Sequence, residues 1–132
     1  MTGSVHSGEA IIPVRLRGPH GLIESVQAVL DTGFNGWLTL STDHIAKLAL
    51  TLREEGRYVL ADGSVTTSRL FEAEMEWLGT WRRILVVEID GDPLLGMATL
   101  DGCRLTLDAV ENGRVEIRPL AQPEPEKAAV TT

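Results

Sequence analysis

From Phe71 to Leu78 the chain alternates without a break: Phe71, Ala73, Met75 and Trp77 on one side, Glu72, Glu74, Glu76 and Leu78 on the other. A strand throws successive side chains to opposite faces, so this order makes one dry face and one wet one. The same period recurs along the chain. Ile12, Val14 and Leu16 alternate with Arg15 and Arg17, a Gly18-Pro19-His20-Gly21 turn follows, and Leu22 to Leu30 resumes the strand pattern. Trp37 to Leu40 and Trp81 to Val87 read as further strands, and Cys103, Leu105 and Leu107 alternate with Arg104, Thr106 and Asp108 before Val115 and Ile117 mark the last. Asp62-Gly63 and Asn112-Gly113 are predicted as two-residue hairpin turns, because both tolerate positive φ. Helical periodicity is short: Ser41 or Thr42 caps a brief helix with Ile45, Leu48 and Ala49 on one face, and Met97 to Asp101 fits one turn. Many short strands with closely spaced turns predict an all-β barrel or sandwich with one or two short helices.

A length of 132 residues suits one domain. Residues 10–118 carry the periodic segments. Residues 1–9 are expected as a flexible arm, and residues 119–132, rich in Pro, Glu, Ala and Thr, as a disordered tail. Nineteen acidic residues against twelve Lys and Arg give a net charge of −7, and no basic stripe tracks a phosphate backbone. Nucleic acid is therefore not an expected partner. The longest aliphatic run, Ile84 to Val87, is far below the roughly 18 residues of a membrane span, and Met1 to Ala10 lacks the basic and apolar regions of a secretory signal. No membrane association is expected, and a cytoplasmic setting is. Cys103 is the one cysteine, which excludes an intrachain disulfide and a cysteine-based zinc site. His6, His20 and His44 lack paired ligand spacing, so no metal or cofactor is predicted.

Asp31-Thr32-Gly33 stands between the apolar strand Val26 to Leu30 and the strand Trp37 to Leu40. Asp is a poor strand residue, and directly after Val29-Leu30 it sits at the mouth of a core. The stretch Ala28 to Gly36 resembles the active-site loop of retropepsin-like (clan AA) aspartic peptidases, especially the small bacterial single-domain ones, and Leu94-Leu95-Gly96 resembles their downstream apolar-apolar-Gly element. The resemblance covers about residues 10 to 118. It implies a small closed acid-protease barrel with a flap hairpin, whose tip would be Ala61, Asp62 and Gly63. It also implies peptide-bond hydrolysis, with Asp31, Thr32 and Gly33 as the catalytic loop. Phe34, Asn35, Gly36, Leu94, Leu95 and Gly96 would line the substrate site with the flap.

Amide hydrolysis by carboxylates alone needs two of them sharing one proton. One motif per chain therefore implies a homodimer in which two Asp31 side chains meet on a two-fold axis. The other Asp-Gly pairs, at 62, 90 and 101, lack both the Thr and the preceding apolar strand, and read as turns. Phe34 departs from the small or hydroxyl residue common after this motif and is expected to narrow the site. The expected activity is that of an aspartic endopeptidase acting on a peptide or protein substrate. The alternatives are a barrel of the same fold that binds a peptide or protein without cutting it, and a purely structural dimerisation module.

Overall fold

A computed structural model describes residues 1–121 of the chain. Ten strands and two short helices follow one another: β1 (Thr2–His6), β2 (Glu9–Arg17), β3 (Ile23–Leu30), β4 (Leu38–Leu40), α1 (Thr42–Leu48), β5 (Thr51–Val59), β6 (Val65–Trp77), β7 (Thr80–Glu88), β8 (Leu94–Leu95), α2 (Met97–Leu100), β9 (Cys103–Leu107) and β10 (Arg114–Pro119). The fold is all-β, as the alternation requires. Strands β6, β7, β4, β8, β3 and β2 pair in turn, and β2 pairs again with β6, so these six close into a barrel. The inward residues of each strand fill it: Ile12, Leu16, Leu38, Leu40, Met75, Val86 and Leu95 have no exposed surface.

Strand β2 has a double role. Its first half pairs with β1 from Ser4↔Ile11 to His6↔Glu9, and its second half pairs with β6 from Arg15↔Glu76 to Arg17↔Glu74. A small terminal sheet, β1–β10–β9, thereby grows from the barrel wall. No helix of the described residues is long and apolar enough to cross a membrane.

Several local expectations are corrected. Residues 1–9, expected as an arm, include β1, because Val5 packs into the core and both edges of the strand find partners. The two hairpin turns with two consecutive residues at positive φ are Ser7-Gly8 and Leu78-Gly79. Neither was apparent in sequence, because Ser and Leu seldom occupy that region. At Asp62-Gly63 Gly63 alone has positive φ, and Gly63 N donates to Leu60 O (2.9 Å) while Leu60 N donates to Ser64 O (2.8 Å), which is a three-residue loop. Asn112 and Gly113 are the last two residues of a six-residue loop between β9 and β10 rather than a tight turn. Helix α1 is capped by Ser41 as expected, its hydroxyl accepting from His44 N (3.3 Å), but Ala49 is an exposed left-handed C-cap and Leu50 is buried in its place. Of the segment 119–132, Pro119 closes β10, and residues 122–132 lie outside those described.

Candidate active site

The loop from Asp31 to Trp37 joins β3 to β4, two strands that do not pair with each other. Strand β8 lies between them, parallel to β3 (Val29↔Leu94, Leu30↔Leu95) and antiparallel to β4 (Leu38↔Leu95). The loop must therefore arch over the end of β8, and backbone bonds fix the arch. Asp31 N donates to Leu95 O (2.9 Å), Gly96 N to Trp37 O (3.0 Å), Met97 N to Phe34 O (2.8 Å) and Ala98 N to Gly36 O (3.1 Å).

Two buried threonines complete the clamp. Thr39 Oγ1 accepts from Leu94 N (2.9 Å), and Thr99 Oγ1 donates to Trp37 O (2.8 Å). Both side chains sit in an apolar interior, where a hydroxyl without a partner is costly, and both are satisfied. Beneath the loop the Arg82 guanidinium lies over Trp37 (5.0 Å) and Trp77 (5.7 Å) and donates through Nη2 to Thr99 O (3.0 Å). Burial lowers its affinity for a proton relative to an ordinary arginine. Thr39, Thr99 and Arg82 carry no motif, and nothing in their sequence context singles them out.

Asp31 is half-buried at the end of β3. Its Oδ1 accepts from Gly33 N (2.9 Å), which fixes the carboxylate plane. A Cβ on Gly33 would approach that same oxygen at 3.2 Å. Asp31 and Thr32 form one wall of an open cleft of about 700 Å³. Its floor is aliphatic, with Val29, Leu30, Leu94, Leu105, Leu107 and Val110, and Glu9 and Glu111 stand at its rim. The Glu111 carboxylate is held there by Ser7 N (3.0 Å) and His6 Nδ1 (3.4 Å). The cleft wall from the terminal sheet was not anticipated: alternation marked Leu105 and Leu107 as apolar, but not which element they would face.

Other candidates are placed differently. The Phe34 ring lies against Gly36 and Gly96, at positions their side chains would otherwise occupy, so it packs under the loop and is absent from the cleft lining. Leu95 is fully buried in the barrel core, and a Cβ on Gly96 would come too close to Gly36 O to fit. Leu94 lines the cleft. Thr32, Gly33 and Asn35 are exposed. Ala61, Asp62 and Gly63 form the tip of the β5–β6 hairpin, exposed and outside the cleft lining. Among the described residues no group of three His, Cys, Asp or Glu side chains is placed to hold a metal ion.

No family model and no curated protein matches the chain. Among solved structures the fold is similar to that of EIAV protease complexed with the inhibitor HBY-793, with 18% sequence identity, a TM-score of 0.48, and coverage of 71% of this chain and 86% of that one.

Proposed function

We propose that this chain is an aspartic endopeptidase of the retropepsin type, active as a homodimer with one Asp31 from each copy. The observation that carries the reading is a carboxylate with one oxygen tied to Gly33 N, set by a clamped loop at the edge of an aliphatic cleft. The cleft volume falls within the range of small-molecule and side-chain sites. In the dimer the two carboxylates would share one proton. The ionised one takes a proton from the water between them while the protonated one gives its proton to the scissile carbonyl oxygen. The resulting diol collapses with proton transfer to the amide nitrogen, which releases two peptides and restores the shared proton. The exposed Thr32 hydroxyl would donate to the opposite loop across the axis, and the hairpin tip at Ala61, Asp62 and Gly63 would close over the bound peptide.

Incubation with a diverse peptide library tests the activity. The unaltered chain is expected to cut, and Asp31→Asn to lower the rate by roughly a hundredfold or more while its thermal melt and peptide binding persist. Turnover by the purified variant equal to that of the unaltered chain would overturn the assignment. Binding without cutting by the unaltered chain would instead support a binding barrel.

A further inference from the structure

We propose that the two copies join edge to edge through β9, with the two-fold axis passing between their Thr106 residues; this rests on the dimeric reading above. Two strands end the hydrogen-bonded order of the sheet, β5 and β9. Strands β1 and β10 are paired along both edges within one chain, so neither is free to recruit a partner. The β5 edge is guarded, with Arg53, Glu54, Glu55 and Arg57 along it and a bulge at Leu52/Glu54. Such charges and bulges prevent strand addition. Strand β9, Cys-Arg-Leu-Thr-Leu, carries one charge and no bulge.

The hydrogen-bond phase of β9 determines which residues a partner would meet. Asp108 N donates to Arg114 O, and Leu120 N donates to Gly102 O, each at 2.9 Å and each in register with the β9–β10 ladder. Alternation along an antiparallel ladder then turns the N–H and C=O of Gly102, Arg104, Thr106 and Asp108 toward β10. Those of Cys103, Leu105 and Leu107 face the bare edge. A two-fold axis can centre this edge on Arg104, Leu105 or Thr106. Centring on Arg104 sets two guanidiniums opposite each other, and centring on Leu105 leaves Arg104 facing a threonine. Centring on Thr106 sets Arg104 opposite Asp108 of the second copy, twice, and Thr106 opposite Thr106. Opposite charges and paired threonines are favourable cross-strand neighbours. Among the described residues neither Arg104 nor Asp108 is in an ion pair, and both are exposed.

The same axis serves the site. Leu105 and Leu107 occupy the opposite face of β9 and line the cleft with Asp31 and Thr32, Leu107 being 39% and Val110 64% exposed. Pairing about Thr106 brings Leu105 of one copy beside Leu107 of the other, so four leucines form a continuous floor beneath the two Asp31 loops. The isologous contact thus joins the two aliphatic surfaces into one shared cleft floor.

Sedimentation equilibrium of the charge variants provides the test. Arg104→Asp and Asp108→Arg are each expected to weaken the dimer roughly tenfold, since each turns two attractive pairs into two repulsive ones. The double exchange is expected to restore association to within about threefold, and the single-variant losses to shrink at high salt. In a Cys103→Ser background, Thr106→Cys is expected to give a covalent dimer under mild oxidation, because directly opposed residues of this kind lie about 4.5 Å apart at Cα, within disulfide reach. Loss of either the rescue or the cross-link overturns the proposal. Neither readout uses a substrate, so a dimer that passes both yet cuts nothing refutes the peptidase reading alone, and cutting by chains that fail both refutes the edge alone.

Discussion

Asp31 owes its position to residues that cannot themselves react. Its amide is held by Leu95 O, its carboxylate by Gly33 N, and the loop it opens rests on Gly96, where the chain passes Gly36 O and the Phe34 ring too closely for any side chain. Gly96→Ala is expected to displace the 31–37 loop without emptying the barrel. Its melting temperature should fall, and the amide signals of Asp31 to Trp37 should shift while those of β6 and β7 stay. Leu95→Ala acts differently, because it leaves a cavity in the barrel core behind the strand whose carbonyl holds Asp31 N. It is expected to cost about 2–5 kcal/mol, read by urea unfolding, with the loop hydrogen bonds formally intact. Equal stability of Leu95→Ala and the unaltered chain would show that the core does not support the loop.

At the scale of elements, the β2–β6 seam closes the barrel with charges on its outer face. Arg17 clasps Glu74 through two bonds (3.1 and 3.0 Å), Arg15 reaches Glu76 (2.8 Å), and both guanidiniums lie over Trp81, at 4.3 and 5.6 Å. The Arg17 hydrogen bond holds the Glu74 carboxyl below its ordinary range. A depressed acid stabilises the fold above its unfolded value and loses that contribution as pH falls through the lowered one. The melting temperature of the unaltered chain should therefore drop more on acidification than that of Glu74→Gln, and the difference should shrink in salt. The β5–β6 hairpin is the contrasting element. Past the barrel its two arms pair only with each other, Val59 is 73% exposed, and the tip is tied by Asp62 accepting from Ser64 N (2.9 Å) and Oγ (2.6 Å). Amides from Leu60 to Ser64 are expected to exchange fast in the free protein and to slow when a statine peptide binds. Slow exchange without ligand would argue against a closing flap. The Glu72, Glu74, Glu76 row was legible as a wet face, but its pairing with Arg15 and Arg17 was not, since alternation reveals faces and not neighbours. Turn chemistry was misread where Gly-containing pairs looked alike: Leu78-Gly79 forms the tight turn, and Asn112-Gly113 does not.

At the scale of the molecule, the all-β class followed from periodicity, and the loop at Asp31 from one motif and its flanking strands. The closed barrel was implied by the resemblance and not by periodicity, and the terminal sheet by neither, because the pairings that build both join residues far apart in sequence. Met1 N donates to Ile117 O (2.9 Å) and Ile117 N to Met1 O (2.8 Å), a separation of 116 positions. That separation has a consequence in time. Strands β2 to β7 can begin to pair while the chain is still being synthesised, but β1 has no outer partner until β10 emerges, and the cleft has no second wall until β9 does. Non-local closures of this kind are the slow steps of folding. Asp31 is therefore made early and equipped late. Under the proposed dimeric reading, a nascent chain would hold Asp31 on an unfinished surface, with neither the leucine floor nor the edge that a second copy would join, and would stay inert toward its neighbours on the ribosome until β9 has been made.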